Sequence, residues 1–173
     1  MIAAIESAFA TVTLGDGITI HEARALDDYE DARAARAVDC HVRWQDISDN
    51  TLRALNDVHC FLDDAGYRYY TPAYMRWVLR HLDDETDDHR SLDWSFMYSL
   101  DPGFDASRHR RMATFDAAQR TAVCLFLRHL VRAAGGHRDD AEQALVAHWG
   151  RYCDAGPSDD DDPDDFRRTR LGR

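Results

Sequence analysis

Residues 66–82 read GYRYYTPAYMRWVLRHL, and the fold predicted for the segments on either side depends on how this stretch is interpreted. Gly66 follows an amphipathic pattern, and glycine readily takes the left-handed conformation that ends many helices. Thr71 can cap a following helix, and Pro72 is tolerated at a first helical position because its missing N–H is not needed there. The sequence therefore predicts two helices that meet at a corner, with residues 67–70 as an extended connector.

The predicted corner is rich in aromatic side chains, and two interpretations of it are open. In the first, the tyrosines pack the corner and their hydroxyls reach nearby backbone groups. In the second, the corner is a binding surface, because Tyr and Arg are enriched in the residues that dominate binding energy. The residues of this predicted binding site are Arg68, Tyr69, Tyr70 and Tyr74.

Several short runs of the chain resemble an uncharacterised bacterial family of domains of unknown function. They are GDGITIHEA at 15–23, RWQDI at 43–47, FLDDAGY at 61–67 and RYYTPAYM at 68–75. The resemblance covers roughly residues 1–134, and its most specific part is the PAYM core at 72–75. It implies a single domain, and it brings no activity, cofactor or catalytic residue.

The remaining chain is predicted to be helical, in a single compact domain of six to seven helices. Thr19 followed by Glu22 matches a capping box at a helix start. Ser48 can cap a helix over residues 49–65. Residues 115–134 place apolar side chains around most of a helical circumference, which predicts the long central helix.

Two other segments have different patterns. Residues 91–100 (SLDWSFMYSL) partly alternate between apolar and polar, so we expect an extended segment there. Residues 154–173 carry seven aspartates and four arginines with few apolar residues, which predicts a mobile acidic C-terminal tail. The predicted domain therefore spans residues 1–153, and residues 154–173 form the tail.

Composition excludes several classes of function. The 173-residue chain has a net charge of −11, which disfavours nucleic-acid binding because phosphate contacts need clustered cations. It contains no lysine, which excludes a Schiff base and a P-loop lysine. No apolar run approaches the length needed to cross a membrane, and no secretory signal peptide is visible. We therefore expect a cytoplasmic protein.

The cysteines are Cys40, Cys60, Cys124 and Cys153, and none belongs to a CxxC pair. We expect all four to be reduced and mostly buried. The adjacent Cys40-His41 and His59-Cys60 pairs do not match zinc-finger spacing, so no metal ligand is predicted.

No catalytic motif is present, so the sequence predicts no catalytic residue and no cofactor. The preferred hypothesis is a non-enzymatic protein-interaction module, with an immunity-type or antitoxin-type protein that binds a cationic partner as its specific form. Opposite charge speeds such encounters. The alternative is a small ligand-binding domain or enzyme that uses an Arg/Tyr anion pocket around Arg68. The sequence does not determine the oligomeric state.

Overall fold

The computed structural model describes residues 1–39, 42–82, 94–103, 105–133 and 136–153. Within these ranges the chain forms α-helices and 3₁₀ turns and no β-strand, which confirms the predicted all-α fold. The helices are α1 (Ile2–Ala8), α2 (Ile20–Asp27), α3 (Ala32–Asp39), α4 (Asp49–Ala54), α5 (Asp64–Arg80), α6 (Trp94–Ser99), α7 (Ala106–Ala113), α8 (Ala117–Arg132) and α9 (Arg138–Ala147). The 3₁₀ turns are Trp44–Asp46, Val58–Cys60 and Trp149–Tyr152.

Helix α5 is the most enclosed element of the described chain. It has 17 residues, and every residue from 69 to 78 is buried. Tyr74 stacks on Phe96 of α6 with ring centroids 5.5 Å apart, and Phe96 contacts Phe126 of α8 at 6.4 Å. Aromatic contacts of this kind contribute to stability beyond the area that they bury. The core is therefore organised around α5, and Phe96 of α6 links it to α8.

The prediction that Gly66 ends a helix is wrong. Asp63 caps α5, and its Oδ1 accepts hydrogen bonds from the N–H groups of Gly66 at 2.8 Å and Ile18 at 3.0 Å. A Cβ atom on Gly66 would lie 2.3 Å from the carbonyl oxygen of Ile18. Glycine is therefore needed here for close contact between two backbone segments, inside the first turn of the helix.

Pro72 lies inside α5, and the predicted helix start at this residue is also wrong. A proline in a helix interior removes one backbone hydrogen bond and costs about 3 kcal/mol. In α5 the neighbouring Thr71 donates its hydroxyl to the Tyr67 carbonyl oxygen at 2.7 Å, and both residues are buried. The surrounding core stabilises a continuous helix that local sequence rules would interrupt.

Helix α8 confirms the predicted long central helix. Its start is the capping box of Asp116 and Gln119, in which Asp116 Oδ1 accepts the Gln119 N–H at 2.8 Å. The helix has 16 residues and contacts α1, α9 and the 3₁₀ turn Trp149–Tyr152. The predicted capping box of Thr19 and Glu22 at the start of α2 is also confirmed.

Two predicted segments differ in length or type. The helix predicted over residues 49–65 ends at Ala54, and the Leu55 carbonyl accepts the Tyr74 hydroxyl at 2.5 Å. The segment predicted to be extended contains α6, and there the prediction is wrong. Phe96, Met97 and Leu100 all face the core, a spacing that suits a helix better than a strand.

The prediction that all cysteines are reduced is wrong for two of them. Cys124 on α8 and Cys153 after the last 3₁₀ turn form a disulfide with their Cα atoms 5.4 Å apart, within the usual range. Cys60 is free and exposed, so its predicted burial is wrong as well. Cys40 and the predicted tail, residues 154–173, lie outside the described residues.

Candidate interaction surface

The helical hairpin formed by α2 and α3 carries an unusual exposed residue at its tip. Polar contacts hold α2 and α3 together at the base of this hairpin and join it to the loop before α2. Arg36 of α3 donates to Glu22 Oε2 at 2.8 Å and to the Gly17 carbonyl oxygen at 2.7 Å. The ring of His21 binds the buried carboxylate of Asp39, with Nδ1 and Oδ2 2.8 Å apart. The hairpin therefore has a defined position.

The turn between α2 and α3 is a left-handed helix end. Tyr29 has φ of 58°, and it is the only described non-glycine residue with a positive φ. The Glu30 N–H donates to the Ala25 carbonyl oxygen at 2.8 Å, which is the six-residue hydrogen bond of a Schellman motif. The position that Tyr29 occupies is usually glycine, because a side chain there costs roughly 1 kcal/mol.

The side chain of Tyr29 is 98% exposed, so it gains no packing within the domain. Its four closest neighbours in the chain, Asp27, Asp28, Glu30 and Asp31, all carry carboxylates. Asp31 also accepts hydrogen bonds from the N–H groups at the start of α3. We call residues 27–31 the hairpin tip. It combines one fully exposed aromatic ring with a concentrated negative charge.

A cation of α2 lies beside the hairpin tip. Arg24 of α2 forms ion pairs with Asp27 and Asp57. Its charge is thus shared between two carboxylates, one in the hairpin tip and one near the turn Val58–Cys60. The carboxylates of Asp28 and Glu30 are exposed at the tip itself.

Three of the four residues of the predicted binding site lie in the core. Tyr69 donates its hydroxyl to the Val42 carbonyl oxygen at 3.0 Å and accepts the Trp44 N–H at 3.0 Å. Tyr74 is enclosed by Phe96 and His59, whose ring centroid is 4.3 Å away. These contacts agree with the interpretation of the tyrosines as packing residues.

Tyr70 is buried next to Tyr69, with their ring planes nearly perpendicular. Burial raises the pKa of its hydroxyl, and the nearby Asp39 carboxylate raises it further. The backbone of Ile20 lies near the Tyr70 hydroxyl and partly opposes this rise in pKa, although the two groups form no hydrogen bond of normal geometry. The neutral hydroxyl of Tyr70 is thus part of the packed interior.

Arg68 is the partly exposed member of the predicted site. Its guanidinium donates to the Thr114 carbonyl oxygen at the end of α7, at 2.9 Å. It therefore lies beside a helix C-terminus, apart from the three buried hydroxyls. The four residues share one helix, but the structure does not bring them together into one exposed surface, and their role in binding stays a prediction.

No group of three or more His, Cys, Asp or Glu side chains within the described ranges is placed to hold a metal ion. None of the helices in the described part of the chain is long and apolar enough to span a bilayer.

Sequence reasoning missed Tyr29 because the helix end lacks the glycine that normally marks it. The signal that could have identified Tyr29 is an aromatic residue with two acidic residues on each side.

The fold and surface define a small all-helical domain with an acidic hairpin tip. The chain belongs to the Family of unknown function (DUF6714), whose model matches residues 1–153. Neither the curated proteins nor the solved structures contain a match to this chain. The family match agrees with the resemblance to an uncharacterised family and does not assign an activity.

Proposed function

We propose that this protein is a non-enzymatic interaction module that binds a cationic protein partner through the hairpin tip. The observation that carries the proposal is Tyr29, whose ring is 98% exposed at a position where glycine would be more stable. A backbone in a sparsely populated conformation is a reason to look for function. The Tyr29 ring makes no packing contact that would stabilise the domain, so we expect it to contribute to the binding of a partner.

The chemistry of the hairpin tip suits an arginine-rich or lysine-rich surface. A guanidinium or ammonium group over the face of a tyrosine ring gains about 0.5–2 kcal/mol. The surrounding carboxylates speed the encounter with a positive partner and give it a salt-dependent rate. The net charge of −11 adds to this long-range attraction.

The specific form of the proposal is an immunity-type or antitoxin-type protein that neutralises a bacterial cationic toxin by covering it. Small size, negative charge and the exposed aromatic at the hairpin tip support it. The cytoplasmic location stays a prediction. The Cys124–Cys153 disulfide weighs against a cytoplasmic location, because cytosolic thiols are kept reduced.

The alternative, an anion pocket around Arg68, has weaker support. The guanidinium of Arg68 is already bound to the Thr114 carbonyl oxygen, and the hydroxyls of Tyr69 and Tyr74 donate to backbone carbonyls. An incoming ligand would have to displace these contacts.

The proposal can be tested with a photo-crosslinking amino acid placed at position 29 of the full chain, in cells that express its native partners. The matched control carries the same amino acid in place of Val146, which is 90% exposed on α9. We expect position 29 to crosslink to one basic protein, and the yield to fall as salt rises.

The purified partner should then bind the wild-type chain at low salt and bind the Tyr29→Ser variant about tenfold or more weakly, as expected for an anchor residue. The proposal is wrong if positions 29 and 146 give the same crosslinks, or if Tyr29→Ser binds the purified partner as tightly as the wild type.

A further inference from the structure

A buried histidine is surrounded by cationic side chains at the end of α9. His148 follows the last residue of α9, and its side chain is 7% exposed. Its ring lies 5.0 Å from the Trp149 ring and 5.5 Å from the rings of His109 and Tyr152. This arrangement fixes the ring plane.

The contacts of His148 determine which ring nitrogen carries the proton. Nη2 of Arg151 lies 3.4 Å from Nδ1 of His148. A guanidinium can only donate hydrogen bonds, so Nδ1 must accept and the proton of the neutral ring lies on Nε2. Nε2 is buried and has no hydrogen-bond partner. The ring therefore presents an unsatisfied N–H donor.

The surroundings of this donor are positively charged. The guanidinium groups of Arg120 and Arg151 lie over the same ring, that of Tyr152, at 5.3 Å and 5.5 Å from its centroid. Burial lowers the pKa of His148 to about 3, and the charges of Arg151, His109 and Arg120 contribute to this decrease. A buried donor without an acceptor costs about 1–3 kcal/mol.

We propose that His148 and Arg151 form a binding site for an oxyanion, either a phosphate or a carboxylate. The oxygen would accept the Nε2–H of His148, and the exposed guanidinium of Arg151 would supply charge and a second donor. Nε2 is covered in the unliganded arrangement, so binding requires the side chains around it to move, while the Arg151 contact at Nδ1 keeps the proton on Nε2. This site is separate from the hairpin tip, and it has opposite charge.

The first test is the tautomer of His148 in the full-length protein, measured by long-range ¹H–¹⁵N NMR at neutral pH. We expect the proton on Nε2. A proton on Nδ1 would overturn the proposal, because the free nitrogen would then be an acceptor and would repel an oxyanion.

The second test is a titration of the same spectra with inorganic phosphate, and separately with acetate, against chloride at constant ionic strength. Phosphate is expected to shift the His148 ring signals with saturation, and a saturable acetate shift would extend the site to carboxylates. Phosphate should also raise the melting temperature, as ligand linkage requires.

The decisive comparison is between an arginine variant in the turn Trp149–Tyr152 and one on α7. Arg151→Gln is expected to weaken phosphate binding about tenfold, as for loss of a charged hydrogen bond. Arg110→Gln removes the same charge from an exposed residue of α7 and should leave the affinity unchanged. Equal affinities of the two variants, or no saturable phosphate shift in the wild type, would show that no oxyanion site exists at His148.

Discussion

Gly17 and Gly66 hold two distant parts of the chain in backbone contact. A Cβ atom on Gly17 would lie 2.8 Å from the amide nitrogen of Gly66, and a Cβ atom on Gly66 would lie 2.3 Å from the carbonyl oxygen of Ile18. The first turn of α5 therefore fits against the loop before α2 only when both residues lack a side chain. This contact connects the core helix to the base of the hairpin.

The first prediction concerns this contact. Gly66→Ala should lower the free energy of unfolding by about 1–3 kcal/mol, because the added methyl group meets a backbone atom that cannot move independently. Urea denaturation measures the change. The control is Gly15→Ala, where φ is 57° and nothing lies within 4 Å of the new Cβ, so only the cost of the left-handed backbone, about 1 kcal/mol, applies. If Gly66→Ala costs less than Gly15→Ala, the two segments do not pack as described.

The second prediction separates stability from binding at the hairpin tip. Tyr29→Gly should leave the free energy of unfolding unchanged or raise it by up to about 1 kcal/mol. Glycine relieves the left-handed strain but increases the entropy of the unfolded chain. The same variant should lose most of its affinity for the partner captured at position 29. A decrease in stability greater than about 1 kcal/mol would mean that the ring packs on the domain.

The third prediction is a dependence of stability on pH that arises from His59. The ring is fully buried, with neither nitrogen in a hydrogen bond of normal geometry, and burial lowers its pKa to about 3. The unfolded chain, with a pKa near 6.5, binds a proton that the folded chain does not, so stability falls as pH decreases from 6.5 toward 3. Each pH unit in this range costs roughly 1.4 kcal/mol.

His59→Phe keeps an aromatic ring between Tyr74 and Phe96 and cannot be protonated. Between pH 7 and pH 5 it should lose roughly 2 kcal/mol less stability than the wild type. Thermal or urea unfolding at several pH values gives both curves. Parallel curves for the two proteins would show that His59 is accessible to protons in the folded state.

The fourth prediction concerns the disulfide. Replacement of Cys124 and Cys153 by alanine should lower the free energy of unfolding by about 2–4 kcal/mol, because the closed loop no longer restricts the unfolded chain. Cys60→Ala, at an exposed free cysteine, should change it by less than about 0.5 kcal/mol. Peptide mapping without a reducing agent identifies the bond directly, and recovery of Cys124 and Cys153 as separate thiol peptides would disprove it.

Local rules predicted the helix starts well. Thr19 with Glu22 and Ser48 were each recognised as caps, since a capping interaction depends on residues within one turn. The same rules failed at Gly66 and Pro72. The conformation of Gly66 depends on its contact with the Ile18 backbone, and that of Pro72 depends on burial inside α5. Neither can be read from a few neighbouring residues, because both involve distant parts of the chain.

The candidate site was predicted less well than the fold. Arg68, Tyr69, Tyr70 and Tyr74 were chosen for residue type, and the burial of the three tyrosines was missed because the local rules divided α5 into two helices at Gly66 and Pro72. The pairing of Cys124 with Cys153 was likewise hidden, since it depends on how the end of the domain folds onto α8.

The enclosure of α5 has a consequence for hydrogen exchange. The amides within residues 69–78 have no solvent-facing side, so they should exchange only when the whole domain opens. Their exchange rates would then report the global free energy of unfolding without any denaturant. Amide exchange in this one helix would thus allow the free energies of unfolding of all the variants proposed above to be compared directly.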